Sequence, residues 1–153
     1  MPRAVSAGIW KNVRLEKVPK HDFVQFYIVT KHVNRDGSAD LSVFYEFNRE
    51  TEITAEGGYT LRVCGKCGES EFFAEEKLYC RAGNFWLHVP DAKLWWPKNY
   101  GAPALYGVRA ELVRGGETLA VREDRLGIRT AKLLFREGAG EKGEFCFLVN
   151  GKR

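Results

Sequence analysis

Apolar and polar residues alternate along most of this chain with a period of two, the spacing that lines one face of a β-strand. The clearest run is Leu41-Ser42-Val43-Phe44-Tyr45-Glu46-Phe47, in which Leu41, Val43, Tyr45 and Phe47 share a side. Residues 23–30 are rich in β-branched and aromatic side chains, and Asn34-Arg35-Asp36-Gly37-Ser38 separates the two runs. An Asp-Gly pair in that position predicts a hairpin, because the turn needs a positive φ that glycine adopts with little strain. Residues 59–64 read as a strand entered from Gly57-Gly58 and leading into a glycine-bearing turn, Cys64-Gly65-Lys66-Cys67-Gly68. Residues 84–89 form another, closed by Pro90, which lacks the N–H a ladder needs. Residues 105–113 place Tyr106, Val108, Ala110 and Leu112 on one side, and Gly115-Gly116 turns the chain into residues 118–126, with Leu119 and Val121 expected inward. Helical spacing between plausible caps is almost absent. Short strands with turn signals roughly every 8–12 residues predict an all-β, immunoglobulin-like antiparallel β-sandwich, with a closed barrel as the other arrangement the pattern allows.

The ends fall outside that meander. Gly8-Ile9-Trp10-Lys11-Asn12-Val13-Arg14-Leu15-Glu16 predicts a strand, followed by a break at Val18-Pro19. After Gly127-Ile128-Arg129-Thr130 come apolar residues 131–135, a polar stretch holding Gly138-Ala139-Gly140, and apolar residues 145–149. The chain stops at Asn150-Gly151-Lys152-Arg153. Asn-Gly is a hairpin turn, yet no return strand follows, which points to a boundary chosen by an experimenter.

Composition narrows the function classes. A chain of 153 residues, 44% hydrophobic and 13% aromatic, can build one globular core, but it is too short for an α/β barrel of about 250 residues. The net charge of +4 is spread among acids, as in Arg122-Glu123-Asp124-Arg125, so no basic stripe marks a nucleic-acid footprint. No apolar run approaches the ~18 residues of a membrane span, and residues 1–8 carry no apolar signal core, so no membrane partner is expected. The compartment stays open.

Several segments, in order, resemble the family-2 glycoside hydrolases of the β-mannosidase and β-galactosidase kind. Gly8-Ile9-Trp10-Lys11-Asn12-Val13-Arg14-Leu15 resembles the last strand of that family's sugar-binding jelly roll. Pro90-Asp91-Ala92-Lys93-Leu94-Trp95-Trp96-Pro97, Asn99-Tyr100-Gly101 and Pro103-Ala104-Leu105-Tyr106 resemble a passage of its central sandwich. Leu126-Gly127-Ile128-Arg129-Thr130 resembles the sandwich's last strand, and Phe145-Cys146-Phe147-Leu148-Val149-Asn150-Gly151-Lys152 the hairpin that opens its catalytic barrel. The stretch from Cys64 to Cys80 departs from the family pattern. The resemblance implies residues 1–19 as the end of a jelly roll plus linker, 20–130 as the immunoglobulin-like sandwich, and 131–153 as the truncated start of the barrel. It implies a non-catalytic spacer, partnered by the flanking domains of the same polypeptide. The parent would hydrolyse terminal β-glycosidic bonds with retention.

A retaining glycosidase needs two carboxyl groups about 5–5.5 Å apart. In the resembled family both are barrel glutamates, the acid/base following an asparagine, and this chain has no Asn-Glu dipeptide. Glu50, Glu52, Glu75 and Glu76 are expected on turns or polar strand faces, so no catalytic residue is assigned. Trp95 and Trp96 are the candidates for a sugar-stacking platform, the basis of an alternative reading as an autonomous carbohydrate-binding module. Domain packing ranks ahead of it, with Trp10 in the same class, because large aromatics bury so much area. Rings left bare would invite self-association. Cys64 and Cys67 have the spacing of a zinc knuckle, but a structural zinc needs four ligands, and Cys80, Cys146, His21, His32 and His88 lack knuckle spacing. Free thiols are expected there, and no cofactor. Nucleophile elbows, phosphate loops and His-Glu-x-x-His are absent.

Overall fold

The computed structural model describes residues 8, 11–15, 17, 19–136 and 144–153. Its strands are β1 (Phe23–Val33), β2 (Ala39–Phe47), β3 (Tyr59–Cys67), β4 (Ser70–Lys77), β5 (Ala82–Val89), β6 (Tyr106–Arg114), β7 (Glu117–Leu126), β8 (Ala131–Arg136) and β9 (Glu144–Val149). The first seven form an antiparallel sandwich of a three-stranded sheet, β1-β2-β5, on a four-stranded sheet, β4-β3-β6-β7. Hairpins stay within a sheet, while β2 to β3, β4 to β5 and β5 to β6 cross between sheets. This is the immunoglobulin-like arrangement that the alternation predicts.

The core sits where the two inner faces meet. Leu41, Val43, Tyr45 and Phe47 of β2 face Leu61 and Val63 of β3 and Tyr106, Val108, Ala110 and Leu112 of β6, all buried. Burying each large aliphatic or aromatic side chain contributes about 1.5–3 kcal/mol, offset by the chain entropy it removes. The turns follow local chemistry. Gly115 and Gly116 take φ of 57° and 85°, and Asn150 and Gly151 take 50° and 79°, the successive left-handed residues that match a hairpin's twist.

Four expectations need correction. The segment holding Cys64 and Cys67 is not a turn: β3 runs through both, and the turn is Gly68-Glu69, with Gly68 at φ 61°. Gly65 is there for packing, since an added Cβ would stand 2.2 Å from the Phe72 ring. Strand β4 follows, a strand not predicted because its outer positions 71, 73, 75 and 77 mix charge with Phe73. Val121 points to solvent, 43% exposed, and Ala120 points inward. A register shift at Leu112/Val113 pairs Ala120 with inward Leu112 and Val121 with outward Glu111.

The fourth correction concerns the first segment. Residues 11–15 form no strand, and Val13 and Leu15 are exposed. Trp10, Gly138, Ala139 and Gly140 lie outside the described residues.

Candidate functional site

The connection from β5 to β6, residues 90–105, crosses one end of the sandwich and carries both candidate tryptophans. Its start is fixed by a buried polar network. The Ser70 hydroxyl donates to the Asp91 carbonyl, Ser70 Oγ and Tyr106 Oη lie 2.7 Å apart, and the Lys93 N–H donates to Tyr106 Oη at 2.8 Å. Tyr106 is fully buried, so its hydroxyl must be satisfied internally, and pinning residues 91–93 is how that is done. Main-chain bonds continue the tether: the Trp95 N–H donates to the Ile128 carbonyl (2.9 Å) and the Trp96 N–H to the Ala102 carbonyl (3.0 Å).

Both rings are half-buried and covered. Arg129 stands over Trp95, with Cζ 4.6 Å from the ring centroid, and Lys152 Nζ stands 5.1 Å over Trp96. Glycine backbone presses against each. A Cβ on Gly127 would sit 3.0 Å from the Trp95 ring, and one on Gly101 2.8 Å from the Trp96 ring. A cation and a glycine therefore stand against each of the two adjacent indoles.

Strands β8 and β9 make a separate two-stranded ribbon, tied to this tryptophan segment by Asn150. The Asn150 amide donates to the Trp95 carbonyl (3.0 Å), its Oδ1 accepts from the Thr130 N–H (2.9 Å), and its own N–H donates to the Thr130 carbonyl (2.9 Å). Asparagine suits the spot because it tolerates left-handed φ and carries both a donor and an acceptor. The turn closes with Val149 and Lys152 exchanging main-chain bonds at 2.8 and 3.0 Å, so the Asn-Gly hairpin forms and its return begins at Lys152. The ribbon leaves Leu133, Leu134, Phe135, Phe145 and Phe147 exposed. Between ribbon and sandwich lies a cavity of about 450 Å³, lined by Lys31, His32, Leu94, Lys132, Leu148 and Asn150 among others.

The outer faces of the two sheets differ. On the four-stranded sheet, charges interlock: Arg62 with Glu75 (2.5 Å), Arg109 with Glu111 and Glu123 (2.8 Å each) and Lys66 with Glu71 (3.7 Å). Glu111 and Glu123 raise the Arg109 pKa further, chiefly through these hydrogen bonds. The three-stranded sheet shows aromatics. Tyr27 stacks on Phe44 (4.8 Å, 10°), and Trp86, 67% exposed, stands opposite Ser42. Trp86 escaped the reading of the sequence, although the alternation of Phe85, Leu87 and Val89 in the same strand marks it as outward.

The other candidates stay apart. Cys64 is exposed on the outer face of β3 and Cys67 packs toward the core, so their thiols project from opposite faces of the strand. Cys80 Sγ lies 3.0 Å from the Ala82 carbonyl, His21 pairs with Thr51, and His88 pairs with Asp40 at 2.7 Å. Among the described residues no three His, Cys, Asp or Glu side chains gather as a metal site. Glu50 and Glu52 are exposed in the β2–β3 connection and Glu75 and Glu76 on β4, as expected of surface carboxylates.

A family model described as glycosyl hydrolases family 2 matches residues 22–129. A "Beta-mannosidase B" of Aspergillus fumigatus is 30% identical over 98% of this chain, and one of Aspergillus oryzae is 28% identical over the same share. The chain spans only 17% of the length of these curated relatives. A solved β-D-mannosidase from Dictyoglomus thermophilum superposes with a TM-score of 0.68 at 18% identity, over 86% of this chain and 16% of that one. A family-2 member from Bacteroides cellulosilyticus superposes at 0.60 with 20% identity, over 87% and 18%.

Proposed function

This chain belongs to family 2 of the glycosyl hydrolases, and on that premise we propose that it is the rigid β-sandwich spacer of a larger enzyme that hydrolyses terminal β-glycosidic bonds with retention. Residues 20–130 would be the sandwich, 1–19 the end of a preceding sugar-binding domain with its linker, and 131–153 the opening of the catalytic barrel. Trp10, Trp95 and Trp96 would lie at the seams. The observation that carries this reading is the Asn150 staple, which joins the ribbon, the strand after β7 and the tryptophan connection at one point. Such a joint transmits orientation, and catalytic groups held to within about half an ångström need a rigid support.

The carboxylates of this chain suit scaffolding. Glu71, Glu75, Glu111 and Glu123 each pair with a Lys or Arg on a solvated face. A retaining pair needs two facing carboxyl groups on either side of a bound sugar. The module reading on Trp95 and Trp96 is weakened by the cations and glycines that cover those rings.

The test compares the purified 153-residue chain with a polypeptide extended past Arg153 by its own reading frame, on an aryl β-mannoside. Release of the aryl group by the extended protein only is the expected result. Turnover by the short chain, abolished when one of its own glutamates is replaced, would overturn the proposal. A saturable change in tryptophan fluorescence on titrating mannosides, lost in Trp95→Ala, would favour the module instead.

A further inference from the structure

We propose that the outer face of the three-stranded sheet, with the cationic end it runs into, is a docking face for another domain of the same polypeptide, one presenting an apolar centre and a carboxylate-bearing rim. This rests on the reading of the chain as one domain of a longer enzyme. Register places Tyr27 and Val29 of β1, Ser42 and Phe44 of β2, and Asn84 and Trp86 of β5 on this face. None of the six is charged, and the Trp86 indole and the stacked Tyr27–Phe44 pair give it a broad, flat apolar centre. Aromatic centres with charge at the rim are what protein interfaces display.

At the cavity end of this face the cations prevail, while Glu46 lies at its opposite end, beside Gln25 and Ala82. Lys31 Nζ stands 5.5 Å over Phe44 and its residue lines the same cavity as Lys132; Arg129 and Lys152 stand over Trp95 and Trp96 close by. None of these four cations pairs with a carboxylate among the described residues. Two acids at this end are already engaged, Asp40 by His88 and Asn34, and Asp91 by Lys93. The His88 hydrogen bond, then that of Asn34, holds the Asp40 carboxyl below the ordinary aspartate value. An occupant that balances this rim must bring acids of its own.

On the opposite sheet face Arg62, Lys66 and Arg109 already have carboxylate partners. A second copy docked face to face would set the same four cations against their own kind, and a neutral glycan would leave all four unmatched. The rest of the polypeptide is the remaining source, and in the curated relatives most of the length lies outside the segment matched here. The face is also continuous with the ribbon junction through the Lys31–Lys132 cavity.

Hydroxyl-radical footprinting, read residue by residue by mass spectrometry, tests this on the 153-residue chain and on the full polypeptide. Oxidation of Trp86 and Tyr27 is expected to fall about tenfold in the full polypeptide, as it does for rings in a desolvated interface centre, while Phe73 on the charged face changes little. Lys31→Glu with Lys132→Glu in the full polypeptide should restore Trp86 oxidation; circular dichroism of the short chain carrying both changes checks that the sandwich stays folded. Equal oxidation of Trp86 in both proteins, or protection of Phe73 in its place, overturns the proposal. So does protection of Trp86 in the short chain by a neutral mannan or by raised chain concentration, which would assign the face to a sugar or to a second copy. If the full polypeptide cleaves β-glycosides while Trp86 stays open, only this inference fails; if the reading frame adds no domain, the spacer reading fails with it.

Discussion

Replacing Asn150 by alanine removes the side chain that bonds the ribbon turn both to the Trp95 carbonyl and to the Thr130 N–H. Each lost hydrogen bond is worth about 0.5–1.5 kcal/mol net, the lower end applying where water can replace the partner. Asn150 also sits at φ 50°, where a β-carbon without a compensating polar group costs a further 1–2 kcal/mol or so. The sum is about 2–5 kcal/mol, charged against the docking of the ribbon and not against the sandwich core. The measurement is native-state hydrogen exchange. At about 1.4 kcal/mol per factor of ten, protection of the Thr130 amide should fall roughly 30- to 4,000-fold. Core amides such as those of Val43 in β2 and Ala110 in β6 should keep theirs. Asn150→Gly separates the two contributions, since it keeps the left-handed backbone without strain and loses only the side-chain bonds. Its loss should be smaller, about 1–3 kcal/mol. Unchanged protection at Thr130 in Asn150→Ala would refute the staple. Equal losses at Thr130, Val43 and Ala110 would refute the separation of ribbon and sandwich.

Gly65→Ala should cost about 1–3 kcal/mol in urea unfolding, because its Cβ would meet the Phe72 ring at 2.2 Å; Gly107→Ala, with nothing within 4 Å, should cost far less, and similar losses at both would sink the packing account. Burial, more than nearby Cys80 and Glu76, pushes the Tyr45 phenol up to about 12. The unfolded chain then ionises first as pH rises past the ordinary value of 10.0, so stability is intact below that pH and declines on the way to about 12. Urea midpoints at several alkaline pH values should show a decline that is shallower in Tyr45→Phe; identical slopes would contradict it. Thiol labelling should modify Cys64 and Cys80 well before Cys67, which lies against the core. Equal rates for Cys64 and Cys67, or one tightly bound zinc per chain, would mean that the two thiols share a side after all.

Much of the fold is written locally. A period of two fixes which residues of a strand share a face, so Leu41, Val43, Tyr45 and Phe47, and likewise Tyr106, Val108, Ala110 and Leu112, are inward in the structure as in the pattern. Gly115-Gly116 and Asn150-Gly151 announce their turns because few other residues take positive φ without strain. Strand β4 was illegible because polar residues outnumber apolar ones along it, and only Phe72 reaches the core as a large side chain.

The candidate site was legible in its residue types and not in its arrangement. Trp95 and Trp96 stand out in any reading of the chain, but the cations and glycine backbone that cover them come from residues 5 to 56 positions away in sequence, brought together only by the sandwich. Cys64 and Cys67 share a knuckle spacing, and it took the extension of β3 through both of them to separate their thiols. Val121 turned outward because of a one-residue shift against β6 within their hairpin, which strict alternation does not encode. Alternation sets the sides of each strand, since that is backbone geometry; which side meets another sheet, water or a further domain is decided by burial, and burial is a property of the assembled chain.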